Sequence, residues 1–189
     1  PSSAMWYSVA YGNDKFVAVA SNSNTAAYST DGITWTETTL PSSAMWRSVA
    51  YGNDKFVAID YGGNVAAYST DGINWTETTM PSSVEWRSVA YGNGKFVAIA
   101  YNATTAAYST DGVNWTQTTM PSDEYWGSVA YGDGKFVAVA SDSDTAVYSS
   151  DGINWTQTTL PSDVSWQSVA YGNGKFVVVA NGSNKCAYF

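Results

Sequence analysis

Trp86-Arg87-Ser88-Val89-Ala90-Tyr91-Gly92-Asn93-Gly94-Lys95-Phe96-Val97-Ala98-Ile99-Ala100 reads as two short strands joined by a tight turn. β-Branched and aromatic residues fill both runs, as a pleated half-buried surface favours. Asn-Gly between two such runs is the strongest short hairpin signal, because both residues tolerate the positive φ that a twist-matched turn demands. After a polar loop, Ala106-Ala107-Tyr108-Ser109 reads as a third strand, Asp111-Gly112 turns the chain, and Trp115-Thr116-Gln117-Thr118-Thr119 reads as a fourth. No segment keeps helical spacing over the roughly 11 residues needed to assign a helix.

This four-strand pattern recurs without insertion or deletion. Pro-Ser-(Ser/Asp)-x-x-Trp starts at Pro1, Pro41, Pro81, Pro121 and Pro161, dividing the 189 residues into units 1–40, 41–80, 81–120, 121–160 and 161–189. A unit of about 40 residues with four strands points to one blade of a β-propeller. Each small sheet is apolar on both faces and must be sandwiched between neighbours. The expected fold is therefore all-β: one domain, 1–189, forming a five-bladed β-propeller whose last blade, ending at Tyr188-Phe189, has three strands. A closed ring is the expected arrangement, resting on packing between blades one and five. An open solenoid, or a chain that closes only by oligomerising, is the alternative. The three-stranded blade leaves a bare edge, which predicts self-association through that edge.

Ser29-Thr30-Asp31-Gly32-Ile33-Thr34-Trp35 recurs as residues 69–75, 109–115 and 149–155. It resembles the Asp-box, or bacterial neuraminidase repeat, of sialidases and many non-enzymatic propellers. It is one residue shorter than the usual Ser-x-Asp-x-Gly-x-Thr-Trp, and the fifth unit lacks it. The whole unit, with Trp-x-Ser-Val-Ala-Tyr-Gly and Lys-Phe-Val-Ala-Val, is also similar to highly repetitive propellers of bacterial and phage proteins. It resembles photosystem II assembly-factor propellers more distantly. The resemblance implies a propeller in which the box is a folding element remote from any active site.

Composition narrows function by exclusion. With 8 Lys+Arg against 16 Asp+Glu the net charge is −8, which argues against a nucleic-acid partner. No run of about 18 apolar residues is present, so membrane insertion is not expected. With no histidine, Ser/His/Asp and Cys/His catalysis are unavailable and the commonest zinc ligand is absent. Sialidases resemble one another in holding the substrate carboxylate with three arginines, whereas this chain has only Arg47 and Arg87. Glu85 and Glu124, in the same loop of adjacent units, are the one conceivable glycosidase pair, but they are offset by one position. Ser141-Asp142-Ser143-Asp144 lacks the glutamate that completes a calcium loop. The expectation is a chain that is not an enzyme and needs no cofactor and no metal.

Variation among the units marks a candidate binding surface. One variable set flanks the first tryptophan of each unit: Met5 and Tyr7, Met45 and Arg47, Glu85 and Arg87, Tyr125 and Gly127, Ser165 and Gln167. The other lies between the second and third strands, at 21–25, 61–65, 101–105, 141–145 and 181–185. In an up-and-down meander both sets fall at one end of the sheets, with the constant turns at the other. Loops on a rigid scaffold are where binding usually resides. Tyr7, Tyr61, Tyr101 and Tyr125 offer stacking faces, Arg47 and Arg87 offer charge, and the asparagines offer paired donors and acceptors. Trp6, Trp46, Trp86, Trp126 and Trp166 are the anchors if the sites repeat, although packing between blades is an equally physical role for them. The expected function is carbohydrate binding, lectin-like, with a glycan as partner, at a cell or virion surface. The alternative is a structural or adhesive spacer of a larger surface or tail-fibre protein, or an engineered repeat scaffold.

Overall fold

A computed structural model describes residues 1–189 and contains strands and turns but no helix. The strands are β1 (Met5–Gly12), β2 (Lys15–Ser29), β3 (Thr36–Gly52), β4 (Lys55–Asp60), β5 (Val65–Ser69), β6 (Thr76–Thr79), β7 (Trp86–Gly92) and β8 (Lys95–Ser109). They continue as β9 (Thr116–Gly132), β10 (Lys135–Ser141), β11 (Ser143–Ser149), β12 (Thr156–Val164), β13 (Trp166–Gly172), β14 (Lys175–Ala180) and β15 (Cys186–Tyr188). All pairings are antiparallel between sequence neighbours, and the last sheet, β13-β14-β15, has three strands. The chain is a five-bladed β-propeller.

The hairpin turns form as their residues require. Asn93 and Gly94 both have positive φ, 46° and 73°, and the other four turns repeat this with Asn-Asp, Asp-Gly or Asn-Gly. Two central residues of positive φ make a type I′ turn, whose twist matches the flanking strands. At the same end of blade three, as in blades one, two and four, Ser109 Oγ donates to Asp111 Oδ1 at 2.9 Å and accepts the Gly112 N–H at 2.9 Å. Asp111 Oδ1 also accepts the N–H groups of Val113 and Asn114, both at 2.8 Å.

The segments between second and third strands differ from the loops expected. In blades one and three they are extended and pair with the crossover leading to the next blade, as in Ser21↔Met45 and Tyr101↔Tyr125. Neighbouring blades are thus stitched by backbone ladder at this end. In blade four Ser143 pairs in the same way with Val164 of the crossover into blade five.

Between blades lie four apolar clusters, one for each successive pair. At the second-to-third interface, blade two contributes Val57, Ile59 and Ala66, and blade three contributes Trp86, Val89, Phe96, Ala98 and Ala107. The inner strands are further tied by serine: Ser8, Ser48, Ser88 and Ser128 Oγ accept the N–H of Val49, Val89, Val129 and Val169 at 3.1–3.3 Å. The rings of Tyr51, Tyr91, Tyr131 and Tyr171 lie over Gly12, Gly52, Gly92 and Gly132 of the preceding blade, leaving no room for a Cβ.

The ring does not close, which corrects the expectation of packing between blades one and five. Val9 is 58% exposed, whereas Val49, Val89, Val129 and Val169 are 5–6% exposed. Gly172, the next glycine in the series, has nothing within 4 Å of a Cβ position, and Tyr11, which would cover it, is 58% exposed. Val177 and Val179 are 44% and 46% exposed, although their counterparts in the other blades are buried. The chain is an open arc whose two end faces are complementary halves of the interface buried four times within it. Blade curvature is set by packing between slabs, and at the angle these slabs adopt five of them stop short of a full turn.

Candidate functional site

The first strand of every blade carries a register shift just after its tryptophan, between Trp6 and Ser8, Trp46 and Ser48, Trp86 and Ser88, and Trp166 and Ser168. In blade four Trp126 pairs with Ala140 and Ser128 with Val139, so Gly127 is passed over in the same way. The extra residue of such a bulge leaves the ladder and its side chain is re-aimed. Here that residue is Tyr7, Arg47, Arg87, Gly127 or Gln167. Arg87 Nη2 donates to Gln167 Oε1 at 3.4 Å, bridging blades three and five, so these side chains meet across the axis of the arc.

The axial well is built from this ring and the variable loops beside it. The Arg47 guanidinium stacks on the Tyr7 ring at 4.1 Å, and that of Arg87 lies 5.3 Å from the Tyr101 ring centre. Both are within cation–π range. Tyr61 and Tyr101 approach at 6.4 Å between centroids, and Tyr101 and Tyr125 at 5.1 Å, in tilted pairs. Tyr61 OH donates to Glu85 Oε2 at 2.9 Å. Tyr7, Ser21, Asn22, Met45, Arg47, Tyr61 and Arg87 line a cavity of about 230 Å³. Burial and the neighbouring Arg87 charge both lower the Arg47 pKa from its ordinary value. Burial and the Glu85 carboxylate raise that of Tyr61. The chain's only two arginines thus line one cavity walled in part by tyrosine.

The structure brings together Tyr7, Arg47, Tyr61, Arg87, Tyr101 and Tyr125. It separates them from the tryptophans. Trp46, Trp86, Trp126 and Trp166 are fully buried between blades, and three of them donate Nε1–H to the carbonyls of Ser42, Ser82 and Ser162 at 3.0–3.1 Å. A side chain with no exposed surface cannot stack on a ligand, so these four are core residues and not anchors. Trp6, on the end face of the first blade, is partly exposed.

One residue of the well region, Asp60, was not singled out by sequence. Buried Asp60 replaces the alanine of the other units and accepts the N–H of Met45 at 2.8 Å and of Gly62 at 3.1 Å, fixing that loop. Gln167 reaches Ser141 Oγ at 2.9 Å as well as Arg87. Gly127 admits this arrangement, since a Cβ there would lie 3.0 Å from the Trp166 carbonyl. The signal for Asp60 was its departure from the repeat at an otherwise constant position. Glu85 and Glu124 are each engaged locally, with Tyr61 OH and with Thr145 Oγ1 at 3.1 Å respectively.

Solved structures of similar shape place the chain among propellers. The catalytically inactive variant of virginiamycin B lyase from Staphylococcus aureus with quinupristin aligns with a TM-score of 0.89 at 14% identity, over 100% of this chain and 67% of that one. The nidogen/laminin complex aligns at 0.81 and 11% identity, over 98% of this chain and 75% of the other. YCF48 from Cyanidioschyzon merolae aligns at 0.69 and 15%, over 97% and 69%. Identities this low show the fold alone. No curated protein matches the sequence. One expectation is overturned: the propellers of this shape include a lyase, so the fold offers no ground for calling the chain a non-enzyme. The DUF6242 beta propeller domain matches residues 2–123, more than half of the chain, and the chain belongs to that family.

Proposed function

We propose that the chain is a binding module that takes a glycan bearing an acidic group in the axial well. The observation that carries this reading is the pair of guanidiniums, Arg47 and Arg87, lining one cavity with Tyr7 and Tyr61, each guanidinium lying over a tyrosine ring. Two like charges in one partly buried site disfavour each other. An anionic group between them relieves that repulsion and accepts guanidinium hydrogen bonds, while the tyrosines supply the apolar faces on which sugar rings stack. The well is unique along the chain because the units differ at these positions, so one site per arc is expected and not five. The Ser-x-Asp-Gly turns lie at the far end of the blades. They act as Asp-box-like folding elements and take no part in binding.

A glycan array probed with wild type and with a Tyr61→Ala/Tyr101→Ala variant tests this. Wild type should retain sugars carrying a carboxylate or sulfate, and the variant should lose them while keeping its fold. Absence of binding, or binding indifferent to the two changes, removes the assignment. A second reading, a spacer within a larger surface assembly, is favoured by the exposed apolar end faces at Val9, Val177 and Val179.

A further inference from the structure

We infer that the axial well continues into an acidic compartment, and that the two together take an acidic glycan carrying an unacetylated amino sugar beside its anionic residue. The inference rests on the reading of the well as a glycan site and names the chemical class of that glycan. The second compartment is a cavity of about 570 Å³ at the variable end of blades one and two. Asn22 and Met45 line both cavities, so the two adjoin. Arg47 and Arg87 line the first, whereas Asp60 and Glu77 line the second, which has no basic side chain on its wall.

Asp60 gives the second compartment its demand for a cation. It is 6% exposed, and the other four units have alanine in its place, Ala20, Ala100, Ala140 and Ala180. Its Oδ1 accepts the Met45 and Gly62 N–H groups, while Oδ2 accepts no hydrogen bond and no lysine or arginine pairs with it. An ionised carboxylate held out of water with one oxygen unpaired is costly unless a cation or a donor reaches it. The loop keeps that oxygen open, since a Cβ at Gly63 would lie 3.2 Å from Oδ2. In blades one, three and four the corresponding segment is drawn into pairing with the crossover to the next blade, whereas residues 61–64 of blade two are bends. The open loop and the buried carboxylate therefore occur together once, in the blade that also carries Arg47.

A protonated amine supplies what Asp60 lacks: one positive charge and three donors. Acetylation removes the charge and leaves a single N–H. In a glycan that alternates uronic acid with amino sugar, opposite charges sit on adjacent rings, as the two compartments present opposite charges on either side of Asn22 and Met45. A ligand with one charge satisfies one compartment only. Complementarity at both is what separates such a glycan from a purely acidic one.

The probes are a heparosan tetrasaccharide, alternating glucuronate with N-acetylglucosamine, and the same sugar after N-deacetylation. Each is titrated into the full chain by calorimetry at about pH 6, where carboxylates are ionised and the freed amines are protonated. The deacetylated sugar should bind at least about tenfold more tightly, the worth of one charge-assisted hydrogen bond. Asp60→Asn keeps an oxygen for the Met45 and Gly62 N–H groups and should erase that preference. Glu77→Gln, at an exposed strand position where the fold does not depend on the charge, should narrow it. Equal binding of the two sugars, or a preference that survives Asp60→Asn, would overturn the inference and leave the acidic-glycan reading of the well standing. Failure of both sugars overturns it too, and the well reading falls with it only if the array retains no acidic glycan.

Discussion

Adding one methyl group at two repeat-equivalent glycines gives opposite results if the arc is open. At Gly92 an added Cβ lies 2.0 Å from Tyr131 Cγ and 2.3 Å from both Cδ atoms, well inside contact distance, and Tyr131 is itself packed on Phe136 at 4.8 Å. At Gly172 the same methyl meets nothing within 4 Å. Neither glycine has a positive φ, so alanine is not strained by the backbone at either place. Forcing a methyl into a packed interface costs about 1–3 kcal/mol. At the open position the change falls within about 0.5 kcal/mol, or stabilises slightly by restricting the unfolded chain. With a urea m-value of about 2–3 kcal/mol/M, Gly92→Ala should lower the unfolding midpoint by roughly 0.3–1.5 M while Gly172→Ala leaves it in place. Equal losses for both would mean that Tyr11 covers Gly172 and the ring is closed. No loss for either would mean that the tyrosine–glycine contacts do not form.

Trp86→Ala should cost about 3–5 kcal/mol, as removal of a fully enclosed indole does, whereas Trp6→Ala should cost much less because Trp6 faces no preceding blade; chemical denaturation of both variants reads the difference. The turn aspartates make the fold acid-sensitive. Thr34 and Ile33 N–H groups hold the Asp31 carboxyl down to about 2. In Asp71 and Asp111 burial pushes upward, but the Asn74 and Asn114 donors outweigh it and hold both well below the usual range. A carboxylate depressed in the folded state contributes stability above its unfolded pKa of about 3.9, and that stability is lost as pH falls through the folded value. Unfolding midpoints should therefore be steady above about pH 5 and drop between about pH 4 and pH 2, and Asp111→Asn should flatten part of that drop. A flat wild-type profile contradicts the assignment.

The elements that sequence made legible are those where a residue type has one conformational use. Asn93-Gly94 marks a turn because both positions take positive φ, and the unbroken apolar run Phe96–Ala100 marks a strand buried on both faces. Closure was not legible, since Val9 and Val89 are the same residue in the same pattern and only the angle between slabs decides which of them finds a neighbour. The axial site was half legible. Variation picked out Tyr7, Arg47 and Arg87, but no glycine or proline announces the bulge that turns them inward. The tryptophans show the limit of pattern: an indole at a loop–strand junction serves equally to stack on a ligand or to fill a core, and burial alone separates the two. Asp60 escaped notice because a single departure from the repeat has no period to betray it.

The most direct measurement is a crystal of the protein soaked with an acidic oligosaccharide retained on the array. Density for the sugar should lie in the axial well with its anionic group between Arg47 and Arg87 and a ring against Tyr61 or Tyr101. A sugar bound elsewhere on the arc, or an empty well at saturating ligand, contradicts the proposed site.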